Sequence, residues 1–242
     1  MKALLIKEIR SYLSSIIGYA AIIVFLIATG FFVWVFPGNN NIIEMGEASL
    51  QPFFSQAPGI LIFLLPAFTM RCFAEENKSG TIELLATKPI TLTKIVLSKY
   101  LASCIIGIFA ILPTLIFYVS IYYMGEVNGN IDHSTTIGGY LALALLSMTF
   151  ISIGVLASSI AKNQFVALLI GIFFNFIFYI GFSFLASLAG NPLDYFLLKM
   201  SMVDHFVSLQ RGVVDSRDLL YFFSIIAFNI FLTKAFFEYK SE

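Results

Sequence analysis

Six long runs of apolar residues divide this chain, and they restrict its possible folds more than any other feature. A helix needs about 20 mostly apolar residues to cross a bilayer. Pro58 and Pro66 interrupt the second run, but neighbouring helices satisfy the backbone groups that a proline frees. The sequence therefore predicts one all-α integral membrane domain over residues 1–242, a bundle with spans near 14–36, 57–73, 100–124, 138–160, 165–189 and 218–237.

The N-terminal run follows Lys2, Lys7 and Arg10, which is also how a secretory signal begins. The run from Ser14 to Phe36 is longer than the roughly 7–15 apolar residues of a signal peptide, and no small-x-small cleavage site follows it. We therefore expect an uncleaved first span that is preceded by an interfacial helix.

The composition disfavours other classes of protein. Apolar residues make up 59% of the chain and charged residues 12%, against about 45–50% and about 25% in soluble domains. A soluble protein of this length needs more charge to cover its surface. A soluble enzyme, a nucleic-acid-binding module and a disordered chain are therefore disfavoured.

The formal net charge is zero, with 14 basic and 14 acidic residues, but the two signs are unevenly distributed. With six spans, 11 basic residues fall on the side of the termini and 3 on the other side. Because short cytoplasmic loops collect Lys and Arg, both termini are predicted to lie in the cytoplasm.

The longest segment outside the membrane, residues 190–217, has a helical pattern of its own. Asn191 and Pro192 suit the start of a helix, and Gly212 suits its end. Apolar residues recur between them at near-helical spacing, so an amphipathic helix is expected on the outer membrane face. Asp215 or Ser216 is expected to cap the sixth span.

The segment from Arg71 to Lys99 differs most from its surroundings because much of it is polar. Gly80 allows a positive φ, Thr81–Thr87 suits a short helix, and Pro89 ends that helix. A short, partly apolar helix held between Gly and Pro is suited to docking in a groove of a soluble partner. A plain connector on the lipid surface is the alternative.

The string Glu75-Glu76-x-x-x-Gly80-Thr81-x-Glu83-x-Leu85, followed by Pro89-Ile90, resembles the cytoplasmic-loop signature of ABC-2-type transporter permeases. The resemblance extends over nearly the whole chain. It is greatest to the permease subunit of the gliding-motility-associated ABC transporter, and the copper-related nitrous oxide reductase maturation permeases have a similar pattern.

The resemblance implies an export-type permease in a bacterial cytoplasmic (inner) membrane. Its loop between spans two and three is implied to form a coupling helix that contacts an ABC ATPase subunit. Two permease copies, or a permease and a related membrane subunit, pair with two ATPase subunits that bind ATP and Mg. The residues implied in docking are Glu75, Glu76, Gly80, Thr81, Glu83, Leu84, Leu85 and Pro89. Lys7, Glu8 and Arg10 lie in the interfacial helix, which in the family packs near the ATPase.

The chain lacks the common catalytic motifs. The patterns GxxxxGK[ST], GxSxG and HExxH are absent. ATP hydrolysis is therefore assigned to the partner subunit, and this chain is not expected to be an enzyme. Cys72 and Cys104 have no CxxC spacing and are interpreted as small helix residues, without a metal or cofactor. The Asp204–His205 pair is interpreted as outer-surface polarity.

Asn175 and Asn229 are the main polar candidates inside the spans. A hydrogen bond between helices is favoured for both over contact with a substrate. The near-absence of charge inside the spans disfavours an ion-coupled carrier. Two alternative functions remain: a structural or assembly component of the motility machinery, which moves no cargo, and a permease of the copper-related, nitrous-oxide-reductase-maturation type.

Overall fold

The computed structural model describes residues 2–38, 41–80, 91–125, 129–188, 190 and 193–241. Within these ranges every regular element is helical, and six helical segments are long and apolar enough to cross a membrane. The prediction of an all-α, six-span bundle is therefore confirmed. The six segments are Gly18–Val35, Gln51–Ser79, Leu92–Met124, His133–Ile160, Gln164–Leu188 and Ser216–Glu238.

Span one follows a separate N-terminal helix. Helix α1, Lys2–Leu13, ends just before Ser15, whose extended backbone (φ −95°, ψ 128°) separates it from α2, Ile16–Gly30. A π-helical turn, Phe31–Val35, completes the span. A one-turn helix, α3 (Ile42–Met45), follows and is capped by the Asn41 side chain.

Span two begins earlier than its apolar run. Helix α4, Gln51–Thr69, starts with Pro52 in its first turn, a position where the missing amide hydrogen costs nothing. The predicted start near residue 57 missed this turn because Gln51, Ser55 and Gln56 are polar. After a short turn, α5 (Ala74–Ser79) extends the span to Gly80.

Span three is interrupted by a proline. Helix α6, Leu92–Ile111, begins eight residues before the predicted start at residue 100. Pro113 lies in a 3₁₀ turn, Leu112–Thr114, and α7 (Leu115–Met124) completes the span. The helix start was underestimated because Lys94 and Lys99 break the apolar run.

Span four is α8, His133–Ile160, and it forms the centre of the bundle. Asp132 caps its first turn, and most of the helix is buried against spans two, five and six. Small residues allow this close packing. A Cβ at Gly139 would clash with the ring of Phe54, and a Cβ at Gly154 would clash with Thr69.

Spans five and six lie further from the centre. Span five contains α9 (Gln164–Phe176), a π-helical turn (Ile177–Gly181) and α10 (Phe182–Leu188). Span six is α13, Ser216–Ser241, where Asp215 accepts a hydrogen bond from the amide of Arg217 as an N-terminal cap.

The segment before span six forms two helices, not the single amphipathic helix that the sequence predicts. Helices α11 (Leu193–Met200) and α12 (Met202–Gln210) are separated at Ser201, whose backbone is extended. Met202, Phe206 and Leu209 are buried because α12 packs against α8, so their spacing reflects contact with protein.

The bundle has a basic end and an acidic end. The basic end carries α1, α5 and the first turns of α6, with the basic residues Lys2, Lys7, Arg10, Arg71, Lys78, Lys94 and Lys99. The acidic end carries α11, α12 and the start of α13. By the positive-inside rule the basic end is expected to face the cytoplasm.

Candidate functional site

A buried ion cluster joins three helices at the basic end. Lys99 of α6 is only 4% exposed, and its Nζ lies 2.8 Å from Glu76 Oε1 and 3.3 Å from Glu8 Oε1. The ammonium also lies 5.1 Å from the ring centre of Phe73. One cation therefore serves two carboxylates, from α1 and α5, in a water-poor setting where a broken pair is costly.

A second layer of contacts lies one helical turn from the ion cluster. Tyr12 follows Glu8 by four residues on α1, and Ser103 follows Lys99 by four residues on α6, so both pairs share a helix face. The Tyr12 hydroxyl lies 3.0 Å from Ser103 Oγ and 3.0 Å from Cys72 Sγ. Glu8 contacts Lys99, and four residues later on each helix Tyr12 contacts Ser103. These two contacts at the same spacing hold α1 against α6 in one register.

Tyr12 is buried in this layer, although α1 precedes the first span. Burial, followed by the nearby Cys72 thiol, raises the pKa of the Tyr12 phenol well above its ordinary value. Because the hydroxyl keeps its proton, it remains both a donor and an acceptor at any physiological pH.

Ser158 connects the turn before α5 to the end of span four. Its Oγ accepts hydrogen bonds from the amides of Phe73 (3.0 Å) and Ala74 (3.1 Å). The same hydroxyl donates to the carbonyl of Met70 at 3.1 Å. One side chain thus satisfies three backbone groups where the helix of span two is broken, and α5 starts from a fixed position.

Two further contacts hold the same region. Asn77 of α5 donates from Nδ2 to the carbonyls of Ser159 (3.2 Å) and Ala161 (3.0 Å) at the end of span four. Arg71 donates to the Ser15 hydroxyl, at 2.7 Å, where α1 meets α2. The short helix α5 is therefore bound to spans three and four, and the turn before it is bound to the junction between α1 and α2.

The predicted docking residues divide into inward and outward groups. Glu8 and Glu76 point inward to Lys99, whereas Glu75, Lys7 and Arg10 are exposed. Gly80 is exposed and ends α5 with a φ of +69°, the left-handed conformation that a glycine adopts freely. Outside the described residues lie the other docking positions, Thr81, Glu83, Leu84, Leu85 and Pro89.

Residues of α1 and α5, together with Arg71, Cys72 and Lys99, line a cleft of about 210 Å³ that opens at the basic end. Both carboxylate and cationic groups line it, so it has no single charge preference. Among the described residues, no three His, Cys, Asp or Glu side chains come together as a candidate metal site.

The two intramembrane asparagines differ in their surroundings. Asn229 of span six donates from Nδ2 to Ser152 Oγ of span four at 3.0 Å, a contact between helices. Asn175 of span five is fully buried, but neither its Nδ2 nor its Oδ1 has a hydrogen-bond partner within the described structure.

The family assignment follows from a direct comparison. The family described as ABC-2 family transporter protein matches residues 3–211, which include the interfacial helix, the ion cluster and the first five spans. The chain belongs to the ABC-2 transporter family. A comparison with curated proteins found no match to this ABC-2 protein.

Membership in the family assigns a general role. ABC-2 proteins are membrane components of transporters, not themselves catalytic, and they normally pair with an ABC ATPase subunit. With six apolar helices, this ABC-2 protein is a multi-pass membrane protein.

Two members of the ion cluster, Glu8 and Glu76, are among the residues that the sequence assigns to the interfacial helix and to docking. Lys99 enters the sequence analysis only as a cytoplasmic charge, and the hydrogen bonds of Tyr12, Cys72 and Ser158 are not predicted from it. A lysine inside an apolar helix, with a serine four residues later, was the one visible signal. Its partners lie 23 and 91 residues away in the chain, so their identity required the fold.

Proposed function

We propose that this ABC-2 protein is the permease subunit of an ATP-driven exporter, and that the chain from α5 to the start of α6 receives the movement of a separate ATPase subunit. The observation that carries the proposal is the Glu8–Lys99–Glu76 cluster. It attaches the interfacial helix α1 and the signature-bearing helix α5 to one buried cation on span three.

The contacts of α5 support transmission of force. A segment that pushes on the bundle needs a firm connection to it, and Ser158 and Asn77 provide one to span four. Since span four is the most buried span, a displacement of α5 reaches the packing of spans two, five and six. Binding of ATP to the partner then shifts the bundle between two arrangements by its different affinity for each.

The proposed docking element begins at Gly80 and includes Leu84 and Leu85. Both leucines are apolar positions in a polar segment, which suits contact with a protein groove. The assignment of these two residues rests on the sequence signature, and the base of the element rests on the contacts of α5.

Within the family, we place this ABC-2 protein with the permeases of gliding-motility-associated transporters, in a bacterial inner membrane. The resemblance of the chain as a whole supports this branch, since the signature itself is typical of the wider family. A role as an anchor of the motility machinery is the second candidate, and it differs from the first in predicting no ATP-dependent movement of cargo.

The docking proposal is tested with Leu84→Asp/Leu85→Asp. The variant and the wild type are purified in mild detergent, and the co-purified ATPase is identified by its GxxxxGK[ST] motif in mass spectrometry. We expect the variant to insert normally and to lose the ATPase. Val213→Asp/Val214→Asp is the matched control, because it places two charges at exposed positions of the acidic end and is expected to keep the ATPase.

Retention of the ATPase by Leu84→Asp/Leu85→Asp at the wild-type level would contradict the docking proposal. The transport proposal is tested separately in proteoliposomes that contain the whole complex. Wild-type proteoliposomes are expected to hydrolyse ATP and to transport a molecule across their membrane as they do so. ATP hydrolysis with no transported molecule supports the anchoring role instead.

A further inference from the structure

A cleft of about 340 Å³ opens at the acidic end, where the last turn of span one, helix α3 and the end of span three come together. Trp34 of span one, Ile42 of α3 and Ile121 of span three form its walls, and Glu47 also lines it. This acidic-end cleft shares no residue with the cleft at the basic end. Its volume falls within the roughly 300–1,000 Å³ of pockets that bind small molecules.

Local hydrogen bonds hold the α3 wall of the acidic-end cleft. The Asn41 side chain accepts a hydrogen bond from the amide of Ile43 at 2.9 Å, and its Nδ2 donates to the carbonyl of Phe36 at 3.1 Å. Gly46 ends α3 with a φ of +67°, a left-handed conformation that turns the chain before Glu47. The chain itself therefore shapes this wall, without a ligand.

The other walls of the cleft are apolar. Ile42 and Ile121 are buried, and Met124 is exposed on the side of span three. The indole of Trp34 packs against the ring of Phe117, with ring centres 6.3 Å apart and planes at 69°. An apolar group of a ligand would displace water from these side chains, which is favourable.

The charge around the cleft has one sign. The two segments that border it, residues 37–56 and 125–137, contain four acidic residues and neither Lys nor Arg. A surface of one sign beside a low-dielectric wall raises the local concentration of ions of the opposite sign. The acidic residues are Glu44, Glu47, Glu126 and Asp132.

Glu47 differs from its neighbour Glu44 in its contacts. Glu44 Oε2 accepts a hydrogen bond from the amide of Gly38 at 2.8 Å, and Glu44 does not line the cleft. Glu47 does line it, and its carboxylate has no partner among the described residues. The cleft therefore combines an unengaged carboxylate with the indole of Trp34, and an indole ring attracts cations.

We propose that the acidic-end cleft binds an organic cation with an apolar body, of the class of aromatic ammonium ions. The apolar body lies between Ile42 and Ile121. The ammonium group is held by Glu47 and by the indole of Trp34. A zwitterionic lipid headgroup fits less well, because no basic residue of the described structure lines the cleft to pair with its phosphate. Binding here depends neither on export nor on an ATPase, so it is tested without either.

Trp34 is the single tryptophan of the chain, so its fluorescence is a direct probe of the cleft. The full chain in maltoside micelles, which contain no other indole, is titrated with benzyltrimethylammonium at constant ionic strength. We expect a saturable change in the emission of Trp34. Benzenesulfonate, which has the same ring and the opposite charge, is expected to give no saturable change at the same concentrations.

Glu47→Gln is the decisive variant, since it removes the charge and keeps the shape of the side chain. The dissociation constant for benzyltrimethylammonium is expected to rise about three- to fivefold, because an exposed ion pair contributes modestly.

Glu44→Gln is the matched control. It removes the same charge from the same segment outside the cleft, and a Gln side chain still accepts from the Gly38 amide. Its dissociation constant is expected to change less than about 1.5-fold, since salt screens a charge that does not touch the ligand. Ala48→Phe places a ring in the cleft and is expected to abolish the saturable change.

The absence of a saturable response to benzyltrimethylammonium would overturn the proposal, and so would an equal response to benzenesulfonate. Unchanged affinity in Glu47→Gln would overturn it as well. Equal weakening in Glu44→Gln and Glu47→Gln would assign the effect to the general field and not to the cleft, which also contradicts the proposal. If Ala48→Phe does not fold, the two Glu variants, both at exposed positions, still decide the outcome.

Discussion

The ammonium of Lys99 lies 2.8 Å from the carboxylate of Glu76 and binds helix α5 to span three. Glu8 approaches the same ammonium from α1 at 3.3 Å. Three elements far apart in sequence are thus fixed by one buried charge. The proposed path of force, from the signature segment to the bundle, passes through this contact.

Replacement of Lys99 by Met is expected to lower the free energy of unfolding by about 3–5 kcal/mol, because two partly buried carboxylates lose their counterion and repel each other. Lys99→Arg keeps the charge and is expected to cost much less. Denaturant unfolding in detergent micelles measures both variants.

In Glu8→Gln/Glu76→Gln/Lys99→Met no buried charge of the cluster remains, so most of the lost stability is expected to return. A triple variant that is no more stable than Lys99→Met would show that packing of the lysine chain, and not charge pairing, explains the loss.

Ser158→Ala is expected to cost about 1–3 kcal/mol, because the amides of Phe73 and Ala74 lose their acceptor in a buried place. Ser159→Ala is the matched control, since the Ser159 hydroxyl donates only to the carbonyl of Leu156 in its own helix. Thermal unfolding of the two variants side by side measures the difference, and equal losses would contradict the role given to Ser158.

The architecture was predictable because it depends on local properties. The length of each apolar run is enough to indicate a span, and the six spans were located from it. Errors at the span ends have a common cause. The helices begin at Gln51 and Leu92, before the apolar runs, since a helix needs hydrogen bonds and not apolarity to continue toward the membrane surface.

The sites were much less predictable because they depend on contacts between distant residues. Lys99 and Glu8 are 91 residues apart, and nothing in the local sequence of either names the other. The adjacent residues Asp204 and His205 suggest only outer-surface polarity, whereas the structure places His205 2.6 Å from Asp218. Adjacent residues on a helix point about 100° apart, so adjacency was the wrong guide.

Tyr12→Phe is expected to cost about 1–2 kcal/mol near neutral pH, because the phenol bonds to Cys72 and Ser103. The raised pKa of Tyr12 determines how the stability difference between the wild type and Tyr12→Phe depends on pH. A group whose pKa is raised by folding contributes stability below its unfolded pKa of about 10 and loses it at higher pH. The difference between wild type and variant is therefore expected to shrink between pH 8 and pH 11.

Tyr19→Phe is the control for that comparison, since Tyr19 is 51% exposed and is expected to have little effect on stability. Chemical unfolding at several pH values measures both variants. A difference between the wild type and Tyr12→Phe that stays constant up to pH 11 would argue against burial of the hydroxyl.

Gly154→Ala is expected to destabilise the bundle by about 1–3 kcal/mol, because the added Cβ would clash with Thr69 where span four meets span two. Gly59→Ala is the matched control within span two, since its Cβ enters open space and alanine favours the helix. The double variant Gly154→Ala/Thr69→Ala is expected to recover part of the loss in thermal unfolding. If the double variant recovers no stability, the loss in Gly154→Ala does not come from a clash with Thr69.

The two asparagines of the spans are expected to respond to the same substitution with opposite signs. Asn229→Leu removes the hydrogen bond to Ser152 and is expected to cost about 1 kcal/mol, as is usual for polar contacts between membrane helices. Asn175→Leu removes a buried amide that has no partner in the described structure, so it is expected to stabilise the bundle by about 1–2 kcal/mol. Steric-trap or detergent unfolding measures both changes. A loss of stability in Asn175→Leu equal to that in Asn229→Leu would mean that a water or another group bonds to Asn175.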